Sequence, residues 1–161
     1  PLTVDSELFG AQLGIRLSPA HCMLYTSPYA EALFASAQVL LPARHLQAAG
    51  FAHPSIPRNG VTYHHLLFAD HTLVMANGMW SETLLNTDGS GTDAHSNMSM
   101  WTFDKGITLE NVRHRHSVRP VLRRYEALVL LDRLRARKTE RQTPSVAAPL
   151  EFERFVQLRQ G

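Results

Sequence analysis

The stretch VTYHHLLFADHTLVMANGMWSETLL, Val61 to Leu85, carries the strongest β signal in the chain and decides the fold class. Alternation turns Val61, Tyr63, His65 and Leu67 to one side of an expected strand and Thr62, His64, Leu66 and Phe68 to the other. Asp70-His71 marks a turn, and residues 73–75 extend again. Asn77-Gly78 has the chemistry of a two-residue hairpin, because both residue types tolerate positive φ. Residues 80–84 then form the returning strand. The pattern predicts a meander of strands.

Working outward, GFAHPSIPRNG (50–60) is punctuated by Pro54, Pro57 and Asn59-Gly60 and reads as a loop. Before it, EALFASAQ (31–38) contains helix formers, yet VLLPARHL (39–46) places Pro42 where an interior helix would break. Residues 29–46 therefore read as an extended segment followed by a short turn. Residues 2–25 are short apolar runs broken by Gly10, Gly14 and Pro19, which suits strands and turns. Downstream, NTDGSGTDAHSNMSM (86–100) has loop or linker composition.

A helix is expected over 117–138, with Ser117 as its N-cap and Pro120 in its first turn. Val121, Leu122, Tyr125, Leu128 and Val129 form one stripe, and Ala127, Leu130, Leu131 and Leu134 a second on the opposite side. Such a helix is buried on both sides or packs on a partner as well as on its own domain. Beyond Thr143, Pro144 and Pro149 interrupt a tail with a short helical pattern at 150–158. The expected organisation is a β domain over 1–86, a loop with a strand over 87–111, a basic amphipathic helix over 112–141 and a tail over 142–161.

At 161 residues, 44% hydrophobic and 19% charged, the chain is long enough for one domain with a real core. It has no apolar run long enough for a membrane span, and nothing at its start reads as a signal peptide. Opening on Pro1 rather than methionine, it reads as part of a longer polypeptide. The lone Cys22 cannot form an intrachain disulfide. The formal charge of +2 conceals a basic block, Arg113 to Arg141, with ten basic residues against three acidic ones. Such a block suits nucleic acid, an anionic membrane or an acidic partner. Base stacking wants interleaved aromatics, and Tyr125 is the only one there, so nucleic acid is not expected.

The residues that could carry chemistry are histidines. Neighbours on a strand point apart, so His64 and His65 do not readily share a site, whereas His64, His71 and His21 could converge. Metal is not expected, since neither C-x-x-C nor H-E-x-x-H spacing occurs, and no cofactor is expected either. Cys22 beside His21 suggests a nucleophile pair, but the same strand argument separates the two, and a lone cysteine reads better as a small buried residue. Asn77 reads as a turn residue, and Trp80 and Trp101 as packing residues. Residue types alone describe a mainly β domain with clustered histidines and a basic helix.

Two segments together resemble a known family. LSPAHCMLY (17–25) is similar to the motif of the hedgehog/intein (Hint) superfamily in which a Thr-x-x-His tetrad precedes an apolar strand, with Ser18 in place of the threonine and His21 as the histidine. Residues 61–85 resemble the superfamily's later block: an aromatic strand, a histidine and then Ala-Asn-Gly. VLLPARHL, YHHLLFADH, ANGMWSETLL and RPVLRRYEALVLL, in that order, are most similar to the bacterial Hint-domain family, with coverage from about Leu2 to Leu131.

The resemblance implies a nearly all-β horseshoe and autocatalytic acyl transfer, with the domain's own flanking polypeptide as substrate. A cysteine at the domain's first position attacks the preceding carbonyl, giving a thioester that a second nucleophile cleaves. Resonance makes an amide nitrogen a poor leaving group, so it must be twisted or protonated. By the resemblance His21 is the acid/base, a role suited to imidazole, and Ser18 supplies the hydroxyl that holds the strained amide. His71 falls on the later histidine, and His64 stands where inteins carry an assisting aspartate.

Ser81 and Glu82 occupy the places of the His-Asn pair whose asparagine cyclises in inteins. Ligation of the flanks is therefore not expected, and N-terminal cleavage is. Pro1 lies downstream of the family's nucleophile position, so this segment is not expected to make the first acyl shift alone. The alternatives are an inert Hint scaffold and an interaction module built on the basic helix. Oligomeric state and compartment are left open by the sequence.

Overall fold

The structure, a computed structural model, describes residues 1–58, 60–87 and 106–142, the last six as helix backbone. Among the described residues, seven strands form two antiparallel sheets: β1 (Leu2–Val4), β2 (Ile15–Leu17), β3 (Cys22–Thr26), β4 (Gln38–Pro42), β5 (Ala52–Pro54), β6 (Leu73–Ala76) and β7 (Met79–Glu82). The small sheet has the order β2-β1-β5 and the larger one β4-β3-β7-β6. Three α-helices accompany them, α1 (Pro28–Phe34), α2 (Ala43–Ala48) and α3 (Arg124–Gln142). The chain is mainly β with a C-terminal helix.

The expected hairpin is present. Asn77 and Gly78 both take positive φ, 52° and 79°, and Ala76 pairs with Met79 across the two-residue turn. Primed turns of this kind match strand twist, and asparagine followed by glycine tolerates them. The Asn77 amide also donates to the Gly14 carbonyl at 3.1 Å, tying the turn to the first sheet.

The first half of the opening stretch behaves differently. Residues 60–70 belong to no strand; their backbone is held by Leu84 N–H donating to Leu66 O and by the His114 ring at Phe68 O. Val61, Tyr63, Leu66 and Phe68 are all exposed. Alternation alone does not make a strand where no ladder partner lies alongside.

Residues 29–46 also depart from expectation. Pro28 occupies the first turn of α1, Ser27 accepts from Tyr29 N–H as its cap, and Ala35 ends the helix in the left-handed region. Pro42 sits at the N-cap of α2 rather than inside it, so it breaks nothing.

The main core lies between the sheets and the helices. Met23, Val39 and Leu41 from β3 and β4 pack with Leu46, Leu130 and Leu131. The opposite face of the same sheet buries Cys22, Leu24 and Leu40 under Leu73 and Val118. Both faces of β3 are covered, which explains its unbroken apolar run.

The expected helix over 112–141 starts only at Arg124. Residues 120–122 instead run alongside β4: Leu40 N–H donates to Pro120 O and Leu122 N–H to Leu40 O, at 2.8 and 2.9 Å. An isolated parallel bridge joins Leu40 and Val121. These strand-like hydrogen bonds take the Pro120 carbonyl and the Leu122 amide that the helix was expected to use. Within α3, Ala127, Leu130 and Leu131 are fully buried, whereas Tyr125 and Val129 are 61% and 49% exposed. The second stripe therefore faces the core. Arg135 donates to Ala49 O and lies over the Phe51 ring, and Arg119 Nε–H donates to Gln38 Oε1 at 2.7 Å, so part of the basic block is used inside the fold. Trp80 is exposed rather than packed. Trp101, the loop composition at 88–100 and the pattern at 150–158 fall outside the described residues. Among the described residues, no helix is long and apolar enough to cross a membrane.

The orientation of α3 is checked by two substitutions read by urea denaturation. Leu131→Ala is expected to cost about 2–5 kcal/mol. Val129→Ala is expected to stay within about 0.5 kcal/mol.

Candidate functional site

Ser18 to His21 is a β-turn closed by His21 N–H on Ser18 O at 3.2 Å. Pro19 at its second position presets the φ that such a turn needs. The turn docks on the start of α2. Arg44 N–H donates to Pro19 O and Ala43 N–H to His21 O, at 2.8 and 2.9 Å. Pro42 gives α2 no side-chain cap, so the turn's carbonyls satisfy the helix's first free amides in its place. On the other side, Cys22 N–H donates to Glu82 Oε1 at 2.9 Å. Both peptide groups flanking His21 are thereby held.

The His21 ring lies 5.8 Å from the ring of His65, centroid to centroid, at an interplanar angle of 40°. His65, rather than His64, is the neighbour that the fold provides. Burial and then the neighbouring imidazole of His65 pull His21 down to about 4. His65 is lowered too, by burial first and by His64 second. Among the described residues, no hydrogen bond engages a side-chain nitrogen of His21 or His65 or the Ser18 hydroxyl. These are groups whose proton-transfer capacity is not consumed by the fold.

His71 and His114 form a second pair, with centroids also 5.8 Å apart. Here every ring nitrogen is occupied. His71 Nδ1 accepts from Val118 N–H at 3.0 Å and Nε2–H donates to Thr83 O at 3.2 Å. His114 Nδ1 accepts from Asn86 N–H at 2.9 Å and Nε2–H donates to Phe68 O at 3.1 Å. Rings that accept at Nδ1 and donate at Nε2 are neutral in this arrangement. The His71 side chain is 1% exposed, with Glu82 Oε2 at 3.5 Å from its Nε2. Burial, chiefly, lowers His71 and raises Glu82, so the contact is not that of a full ion pair.

Of the expected site residues, Ser18 and His21 share the pinned turn, while His71 lies in the buried pair and His64 is exposed. The residues that sequence reasoning passed over are His65 and Glu82. The hairpin register pairs Leu73 with Glu82 and β3–β7 pairs Met23 with Ser81, which brings residue 82 beside Cys22. That cross-strand adjacency could have been read only once the pairing was known. Cys22 is buried, and burial together with the Glu82 carboxylate pushes its thiol far up. It is not a thiolate nucleophile. No group of three or more metal-ligating side chains occurs among the described residues.

The Hint domain family model matches residues 1–88, more than half of the chain, and the chain belongs to that family. Comparison with curated proteins and with solved structures gave no match.

The neutral His71 bridge makes stability depend on pH. Its folded pKa lies below the ordinary value near 6.5, so its contribution is present above that pH. It is lost as pH falls from about 6.5 toward the lowered value, where the unfolded chain binds the proton first. Urea midpoints at pH 7.5 and pH 5 should show this loss. His71→Leu leaves Val118 N–H unpaired and should cost about 1–3 kcal/mol at pH 7.5 while reducing the difference between the two pH values.

Proposed function

We propose that this chain is the processing part of an autoprocessing Hint domain, acting once in cis to cut the polypeptide on the domain's N-terminal side through a thioester. The observation that carries this reading is His21. It offers a neutral imidazole with no side-chain hydrogen bond among the described residues, on a turn fixed from both flanking peptides.

In this reading the thiol at the domain's leading position passes its proton to neutral His21 and attacks the preceding carbonyl carbon. As the carbon–nitrogen bond breaks, the imidazolium returns the proton to the leaving nitrogen, and a thioester remains. A second nucleophile then takes the acyl group and restores the thiol. Because His21 is drawn down to about 4, its protonated form is a strong acid, which suits protonation of a poor leaving group. His65 is the partner that shares or relays the proton, and Ser18 holds the twisted amide. His71 supports the site by fixing backbone, and His64 takes no part. Cys22 is excluded as the attacking group by its burial and its raised pKa.

The test is incubation of the full-length gene product with and without added thiol, followed by mass spectrometry. A thiol-accelerated cut before a cysteine is expected. His21→Ala should slow it by about 10²–10⁴, the contribution of a positioned acid/base. His65→Ala should slow it by less, and His64→Ala not at all. Absence of any cut would leave an inert Hint scaffold, and an undiminished rate in His21→Ala would remove that imidazole from the reaction. On the account of His21, protonation of that ring should lower the wild-type rate only as pH approaches about 4, so any fall at higher pH should track the loss of stability from His71 and be reduced in His71→Leu.

A further inference from the structure

We propose that Glu82 is the positioning residue of the His21 turn, holding it through the acceptor position of a single carboxylate oxygen rather than through charge. As a statement about catalysis this rests on the processing reading above; as a statement about the turn it stands alone.

Three hydrogen bonds fix the backbone around His21. Two are backbone to backbone, His21 N–H to Ser18 O and Ala43 N–H to His21 O. The third, Cys22 N–H to Glu82 Oε1 at 2.9 Å, is made by a side chain from a distant strand, whereas the Cys22 thiol makes a local contact, to Ala20 O at 3.6 Å. It holds the peptide that joins His21 to β3, so it sets where the turn leaves the sheet and where the imidazole is presented. β7 brings residue 82 to this place by its register with β3 and β6.

The carboxylate is itself braced. Its Oε2 lies 3.5 Å from His71 Nε2. The His71 ring is tied to Val118 N–H on one side and Thr83 O on the other. A continuous run of contacts thus leads from Val118 through His71 and Glu82 to the peptide beside His21. Residue 118 lies outside the segment 1–88 that matches the family, so the later part of the chain stiffens the turn that the family motif supplies. Among the described residues the Glu82 side chain makes no hydrogen bond to His21, and its influence runs through the backbone.

Three variants separate acceptor position from charge. Glu82→Gln keeps an oxygen at the same reach without the charge. Glu82→Asp keeps the charge but withdraws the oxygen by one methylene. Glu82→Leu removes both. Amide exchange of Cys22 N–H, followed by NMR on the labelled chain, reads the turn without any need for cleavage. Exchange should stay within about threefold of wild type in Glu82→Gln and rise about tenfold or more in Glu82→Asp and Glu82→Leu, as expected for loss of one hydrogen bond. The Val39 amide, in the neighbouring ladder, serves as the control for the fold.

In the full-length gene product the cleavage rate should follow the same order, with Glu82→Gln near wild type and the other two about 10²-fold slower, the scale of a misplaced catalytic group. Glu82→Asp near wild type with Glu82→Gln impaired would assign the effect to charge and overturn the proposal. Unchanged Cys22 exchange in Glu82→Leu with an intact Val39 control would overturn it as well. If the wild type does not cleave, the processing reading fails, while the exchange order still decides whether Glu82 holds the turn.

Discussion

The docking of the Ser18–His21 turn on the first amides of α2 is the constraint on which the arrangement depends. A helix leaves its opening N–H groups without intrahelical partners, and α2 begins at a proline N-cap with no side-chain cap. The carbonyls of Pro19 and His21 take up the amides of Arg44 and Ala43. The same bonds that complete the helix fix the turn. Helix and turn lie at the same end of the β3–β4 pair, where Cys22 is opposite Pro42 in a register that runs on to Thr26 opposite Gln38. Displacing either would expose unpaired backbone groups in a partly buried region, which is costly.

The four histidines described above divide into two kinds, and the division follows from hydrogen bonding rather than from exposure alone. His71 and His114 are spent on backbone: each ring joins an N–H on one segment to a C=O on another. Imidazole suits this because its neutral form has one donor and one acceptor on opposite sides of a rigid ring. Together they attach residues 114–118 to Asn86, Thr83 and Phe68. Asn86 adds to the attachment by donating to the carbonyls of Leu109 and Val112, both at 2.8 Å. His21 and His65 form no such bridges. A ring that already serves as a backbone bridge cannot exchange protons without releasing what it holds, so in the proposed processing reaction the proton transfer is assigned to the other pair.

Much of this was legible in the sequence where local chemistry decides. Asn77-Gly78 specified its turn, Pro19 its bend, and the alternating apolar runs the strand class. The misreadings occurred where a distant partner decides. Residues 61–68 alternate like a strand yet have no ladder, and their exposed Tyr63 and Leu66 show that no second sheet covers them. Pro42 read as a helix breaker because its place at a boundary depends on the Ser18–His21 turn, some twenty residues earlier. Residues 117–123 read as helix because their composition is silent about the exposed edge of β4 that draws them out. The choice of His64 over His65 failed to anticipate His21's neighbour for the same reason: alternation separates the two but does not say which side faces the turn.

Position 82 shows how a substitution in a motif can be read physically. The resemblance places a cyclising asparagine there in inteins, a residue whose side-chain nitrogen attacks its own backbone carbonyl. A carboxylate has no such nitrogen, and this one has its Oε1 on Cys22 N–H and its Oε2 near His71. Burial raises Glu82, yet hydrogen bonding from Cys22 opposes that rise by favouring the ionised form. The side chain is therefore engaged in holding β7 against the start of β3. A group engaged in this way supports the His21 turn, and in the proposed reaction it is a structural brace and takes no part in bond cleavage.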